Sequence, residues 1–169
     1  MAIVPMANLN NPSFPFDDGY ISFAYAARLA TGHGLRLTVG STPVEAFSDP
    51  LWVFLMALGK AVGVPIPTWS RVIEMVSIAA LAATTAGLVR RLNQRAPLWM
   101  AAAAAALVGL LPATVFSALG GLEILLFAGL LNGVLLALLA DRSSKRSPSG
   151  VTTGLCFLLF LTRVECLAE

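Results

Sequence analysis

The sequence predicts an all-α, polytopic membrane protein with about four transmembrane helices and two juxtamembrane helices in a first external loop. Composition points to lipid as the solvent: 12% of residues are charged, about half the usual share of a soluble domain, and mean hydropathy is +0.81. Long apolar stretches follow one another from residue 66 onward, most of them near the ~20 residues that cross a bilayer. The connectors between them are basic on alternate turns only, as expected of a chain threaded back and forth through a membrane. Residues 1–65 are read as an extracytoplasmic loop and residues 66–169 as an incomplete transmembrane region.

Residues 1–49 are polar and rich in loop formers. They hold one helical piece, 19–31, with Asp17 or Asp18 as its N-cap and Gly32 as its C-cap. "PLWVFLMALGKAVGVP", 50–65, is apolar but has only 14 residues between its terminal prolines and carries Lys60. That is short for a span and suits an interfacial or re-entrant helix. Trp69–Val89 is the first long stretch; its Glu74 lies near one end and is expected to reach the lipid headgroups. Leu98–Leu119 is rich in alanine and broken by Pro112. Leu122–Ala140 follows, and Val151 to about Leu161 begins a fourth.

Charge orients the chain. "RRLNQR", 90–95, and "DRSSKR", 141–146, are short and basic, so both are expected in the cytoplasm. Two spans separate them, so they agree. "SALGGLE", 117–123, has no Lys or Arg and falls outside. One span back, residues 1–64 also fall outside, provided 50–65 does not cross; if it crossed, the first loop would be cytoplasmic. External placement requires something to carry the N-terminus across. The first residues lack the pattern of a signal peptide, so the chain is expected to be an N-terminal fragment of a larger protein, lacking a first transmembrane helix.

Several classes are excluded. A net charge of +2 with no basic run among aromatics argues against nucleic acid as a partner. No glycine loop has phosphate-cradle spacing. Cys156 and Cys166 lie in or beside the last apolar stretch and suggest neither a metal pair nor a disulfide framework. His, Cys and acidic residues nowhere show metal-ligand spacing, so no metal or cofactor is expected.

The chemistry concentrates in "FPFDDGYISF", 14–23. Asp17 and Asp18 stand at a helix start, where the partial positive charge of the helix favours ionised carboxylates. A base at the water–lipid boundary can meet one substrate from each phase. The alternative is that the pair caps the helix and solvates a loop.

The run "FPFDDGYISFAYAARLATGHGL", followed by "PVEAFSDPLWVFLMALGKAVGVP", resembles the first extracytoplasmic loop of the GT-C superfamily of polyprenyl-phosphate-sugar-dependent glycosyltransferases. It is closest to the bacterial arabinofuranosyltransferase-like branch, which reads D-D-A-Y-I-S-F-R-Y-A-x-N-L-x-x-G-x-G-L and then V-E-G-Y-T-N-P-L-W. Asp17, Asp18, Tyr20, Ile21, Ser22, Phe23, Tyr25, Gly32, Gly34, Glu45, Pro50, Leu51 and Trp52 match. "SALGGLEILLF" with Glu123 and "LTRVEC" with Arg163 and Glu165 resemble later family stretches more weakly. Gly19 stands where Ala is usual, Ala24 where Arg is usual and Asp49 where Asn is usual.

The resemblance implies a partial GT-C fold and inverting transfer of a sugar from a polyprenyl-phosphate donor to a glycan or lipid acceptor outside the cell. Asp17 would be the general base, with Asp18 second. Arg163, Arg28 and His33 are the leading candidates for the donor phosphate, with Arg36 and Arg71 behind them. Glu45, Glu123 and Tyr20 are candidates for the acceptor. The competing reading is a non-catalytic polytopic protein, a transporter subunit or lipid-binding accessory module, or an inactive fragment. The sequence shows no internal repeat and only Pro112 and Asn132 as mid-span irregularities, fewer than a transporter needs.

Overall fold

The computed structural model describes residues 18–35, 48–144 and 147–163, and all regular structure among them is helical. The elements are α1 (Asp18–Ala30), α2 (Pro50–Ala61), α3 (Ile66–Leu92), α4 (Leu98–Leu110), α5 (Pro112–Gly120), α6 (Ile124–Ser143) and α7 (Gly150–Thr162). The two helices expected ahead of residue 66 are present, α1 within a residue of its expected bounds and α2 ending at Ala61, three residues before the expected 64. Gly32 takes φ +77°, a left-handed conformation that glycine adopts without penalty, and ends α1.

Prolines punctuate the chain as their chemistry requires. Pro50 and Pro112 open α2 and α5, where a missing N–H costs nothing. Pro112 cannot donate to the carbonyl of Val108, so α4 stops at Leu110. Thr114 Oγ1 supplies the missing donor, at 2.7 Å from Val108 O. α4 and α5 are bent by 48° at this break. Inside a bilayer an orphaned carbonyl would cost several kcal/mol, so the threonine is what makes the kink tolerable.

α3 and α6 are long and apolar enough to cross a membrane, and α4 with α5 forms a third crossing if the bent pair is one span. The chain is a membrane protein by these helices. α7 has 13 residues, about 20 Å of helix, which is short of a full span. Among the described residues two to three helices are thus long and apolar enough to cross, where the sequence offers four apolar stretches.

Cross-helix contacts give the directions. Gly129 of α6 lies against the backbone of Ser77 and Leu81, Asn132 Nδ2 donates to Thr85 Oγ1 at 3.1 Å, and Leu136 lies over Gly87. These pairs advance together along both chains, so α3 and α6 run parallel. α7 runs back along α6: Thr152 Oγ1 donates to Asp141 Oδ2 at 2.5 Å near one end, and Arg163 pairs with Glu123 at the other. α4 returns along the far side of α3, with Gly109 facing Ile78. The helices therefore stand in the order α4, α3, α6, α7. One end of this row carries Arg90, Arg91 and Arg142, and the other carries Trp69, Gly121 and Glu123.

α1 and α2 pack together at the Glu123 end. The best-packed apolar cluster lies here, around Phe23, Tyr25, Trp52, Val53, Met56 and Ile66. Trp52 Nε1 donates to Gly121 O at 3.1 Å, and Trp69 Nε1 donates to Leu55 O at 2.9 Å. Both attachments are at the same end of the row, so α2 is held there along its length and does not run to the basic end. Gly59 is pressed against the Trp69 indole, with no room for a Cβ. Gly59→Ala is expected to displace that ring and break its bond to Leu55. The expected loss is about 1–3 kcal/mol, the usual range for overpacking, read as a lower midpoint of thermal unfolding in detergent and a changed tryptophan emission.

Candidate functional site

Four separated pieces of sequence meet at the Glu123 end. The start of α1 comes closest: a Cβ on Gly19 would sit 3.0 Å from Gly120 O and 3.3 Å from Gly121 O. An alanine at this position would have to push the turn away, so glycine permits the close approach. Gly121 itself has φ +70°, a conformation that closes α5 and turns the chain toward α6. Trp52 binds the same Gly121 carbonyl from α2.

One turn along α1, Ser22 is buried and its hydroxyl donates to Asp49 Oδ2 at 2.8 Å. Asp49 immediately precedes α2 but makes no capping bond with its side chain, which is committed to Ser22 instead. Glu123 immediately precedes α6 and is also buried. Its Oε1 lies 3.2 Å from Arg163 Nε, which reaches it from just beyond the end of α7. Arg163 remains about half exposed and stands 6.0 Å from the centre of the Phe127 ring.

Beneath these lie Ser70 and Glu74 of α3, exposed by no more than 1%. The Ser70 hydroxyl and both Glu74 oxygens have no hydrogen-bond partner among the described residues. Glu74 therefore faces the interior toward Glu123, and its expected place among the headgroups is corrected. The helical spacing shows why. Ser70, Glu74, Ser77 and Leu81 fall at i, i+4, i+7 and i+11, a single stripe, and all four are buried.

The electrostatics favour anionic residues held by helix ends. Asp49 and Glu123 stand at the starts of α2 and α6, each within a turn of a partly positive N-terminus. Arg163 sits at the partly negative end of α7, where a cation belongs. Asp49 nonetheless has its pKa raised from 3.8 to about 6. Desolvation is the main cause and the nearby Glu123 adds to it, while the Ser22 hydrogen bond and Arg163 pull the other way.

The sequence-derived candidates separate into groups. Arg163 and Glu123, assigned to donor and acceptor, form one ion pair. Asp18 begins the helix whose next residue touches the Gly120–Gly121 turn. Tyr20 is half-buried and packs edge-to-face on Phe23, with ring centres 6.0 Å apart. Arg28 and His33 lie at the far end of α1, ten residues or about 15 Å along the axis from Asp18. There His33 Nδ1 meets Thr31 Oγ1 at 3.0 Å and its N–H donates to Arg28 O. Both therefore stand at the opposite end of α1 from the Gly19 contact with the Gly120–Gly121 turn. Arg71 is exposed in the first turns of α3. Asp17, Arg36, Glu45 and Glu165 lie outside the described residues. Asp49, Ser22, Ser70 and Glu74 join the site without having been singled out for it.

Set against known proteins, the chain matches no family model, no curated protein and no solved structure.

Asp49 supplies a pH test. A carboxyl that binds its proton more tightly when folded stabilises the fold below its unfolded pKa, and that contribution is lost as pH rises through the folded value. The window is 3.8 to about 6. Asp49→Asn keeps an acceptor for Ser22 and removes the titration. It is expected to match the parent near pH 4 and to exceed it near pH 7, by at most about 3 kcal/mol for a shift of this size. Thermal unfolding of both proteins across that range checks it.

Proposed function

We propose that this chain is part of a GT-C glycosyltransferase of a bacterial plasma membrane. It transfers a sugar from a polyprenyl-phosphate donor to an extracytoplasmic cell-envelope glycan or lipid. The observation that carries this reading is convergence. The stretches resembling GT-C pieces, beginning at residues 17, 44, 117 and 161, lie far apart in sequence. Their described residues are joined through Gly19 against Gly120–Gly121, Ser22 to Asp49, Trp52 to Gly121, and Glu123 to Arg163. Chance likeness of loose motifs gives no reason for them to share one corner of the molecule.

The chemistry assigned to the site is a single displacement. The acceptor hydroxyl oxygen attacks the anomeric carbon, its bond to the phosphate oxygen breaks, and polyprenyl phosphate leaves with the electron pair. The hydroxyl proton passes to a carboxylate, Asp17 first and Asp18 second, and the anomeric centre inverts. Arg163 faces the leaving phosphate. Only its Nε is engaged among the described residues, and Glu123 fixes the guanidinium while the Nη groups remain as donors. The outer side of the membrane follows from the basic connectors, which stand at the opposite end of the helix row.

In membranes of expressing cells, Asp17→Asn or Asp18→Asn is expected to cut sugar transfer from a radiolabelled polyprenyl-phosphate donor by roughly 10²–10⁴-fold. Donor binding and folding should persist, since Asn caps a helix about as well as Asp. Near-normal transfer in both variants would point to the non-catalytic polytopic protein. Sidedness is tested separately with single cysteines in a cysteine-free background. Positions 93 and 144 should resist a membrane-impermeant reagent applied to intact cells, and position 45 should react.

A further inference from the structure

One cleft in the described structure lies away from the acidic end. It runs between α3, α6 and α7 and has a volume of about 910 Å³. Its walls are small and apolar: Ala80 and Gly87 on α3, Gly129, Gly133 and Ala137 on α6, and Leu155 on α7. The two hydroxyl residues within it are already satisfied, Ser77 by donating to Ile73 O and Thr84 by donating to Ala80 O and Leu81 O. Its body therefore offers little to water and suits hydrocarbon.

One end differs. Arg90, Arg91 and Gln94 line the cleft where it meets the basic connectors, all exposed, and neither arginine makes an ion pair among the described residues. This end carries Arg90, Arg91, Arg95 and Arg142 against one carboxylate, Asp141, which is occupied by Ser149 N and Thr152 Oγ1. From Arg90 to Ser77 is 13 residues of α3, about 20 Å. One leaflet of hydrocarbon is about half of 30 Å thick. A chain rooted at the arginines can therefore lie in the cleft for the depth of its own leaflet.

We propose that this cleft is a binding site for an anionic phospholipid of the leaflet at the basic end. The headgroup phosphate is held by Arg90 and Arg91 beside Gln94, and an acyl chain is laid along Gly129, Gly133 and Ala137. Charge complementarity selects this occupant: basic side chains between membrane helices recognise anionic headgroups, and an apolar partner helix would leave both guanidinium groups unanswered. The site stands apart from the sugar-transfer reading, which concerns the other end of the row.

The test uses the purified full chain, stripped of lipid in detergent. Phosphatidylglycerol and phosphatidylcholine of equal chain length are titrated in separately and counted by native mass spectrometry. One bound phosphatidylglycerol, with phosphatidylcholine binding at least ten-fold more weakly, is expected. Arg90→Gln with Arg91→Gln should weaken phosphatidylglycerol about 30-fold, at roughly five-fold per arginine. Gly133→Leu keeps every charge but fills the cleft, and should abolish the bound lipid. Both variants are checked for an unchanged thermal midpoint. Should Gly133→Leu destabilise the protein, Ala137→Leu takes its place. Equal binding of the two lipids would overturn the proposal. So would retention of phosphatidylglycerol by the filled variant, which would mean attraction to the basic surface alone, or a second copy of the chain in place of lipid.

Discussion

The Gly121 carbonyl is the joint from which the acidic end is built. It is exposed to Gly19 on one side and accepts the Trp52 indole on the other. That one turn thus positions α1 and α2 relative to the membrane helices. The left-handed conformation at Gly121 makes the turn sharp enough for Glu123 to begin α6 at once. A residue with a Cβ at Gly19 would move α1, and with it Ser22, the partner of Asp49. The packing of the Trp52, Tyr25 and Met56 cluster then follows from where these helices have been pinned.

A second constraint is that polar groups inside a bilayer must answer one another. The long helices meet it locally. Ser77, Thr84 and Thr85 return their hydroxyls to the preceding turn, and Thr114 repairs the carbonyl that Pro112 abandons. Against this tidy background Ser70 and Glu74 stand out as buried groups without partners. Leaving such a group unanswered costs roughly 1–3 kcal/mol. Glu74 lies close enough to Glu123 for the two carboxylates to repel each other.

Helix existence and order were readable from the sequence because apolar stretches, prolines and glycines act locally. Pro112 announced the break in α4–α5, and Gly32 the end of α1. The sequence could not show that α7 falls short of a span, since the apolar run of a short helix reads like the beginning of a longer one. Site membership divided in the same way. Glu123 and Arg163 were found through their motifs, but their pairing depends on α7 running back along α6. Asp49 looked like a mere departure from a pattern until Ser22 closed on it. Glu74 was misplaced because its distance from Trp69 was weighed and its alignment with Ser70 and Ser77 was not. Arg28 and His33 resembled phosphate ligands by residue type, and the length of α1 sets them apart from the end that meets the Gly120–Gly121 turn.

The ion pair also sets an order of manufacture. Chains emerge from the ribosome N-terminus first, and Arg163 is made 40 residues after Glu123, at the end of the helix that follows. Until α7 has been inserted, the Glu123 carboxylate lacks its counter-charge and the corner is unfinished. A half-made protein therefore holds the buried Glu123 carboxylate without the cation that pairs with it. The corner is completed only when α7 has run back along α6 and carried Arg163 to Glu123.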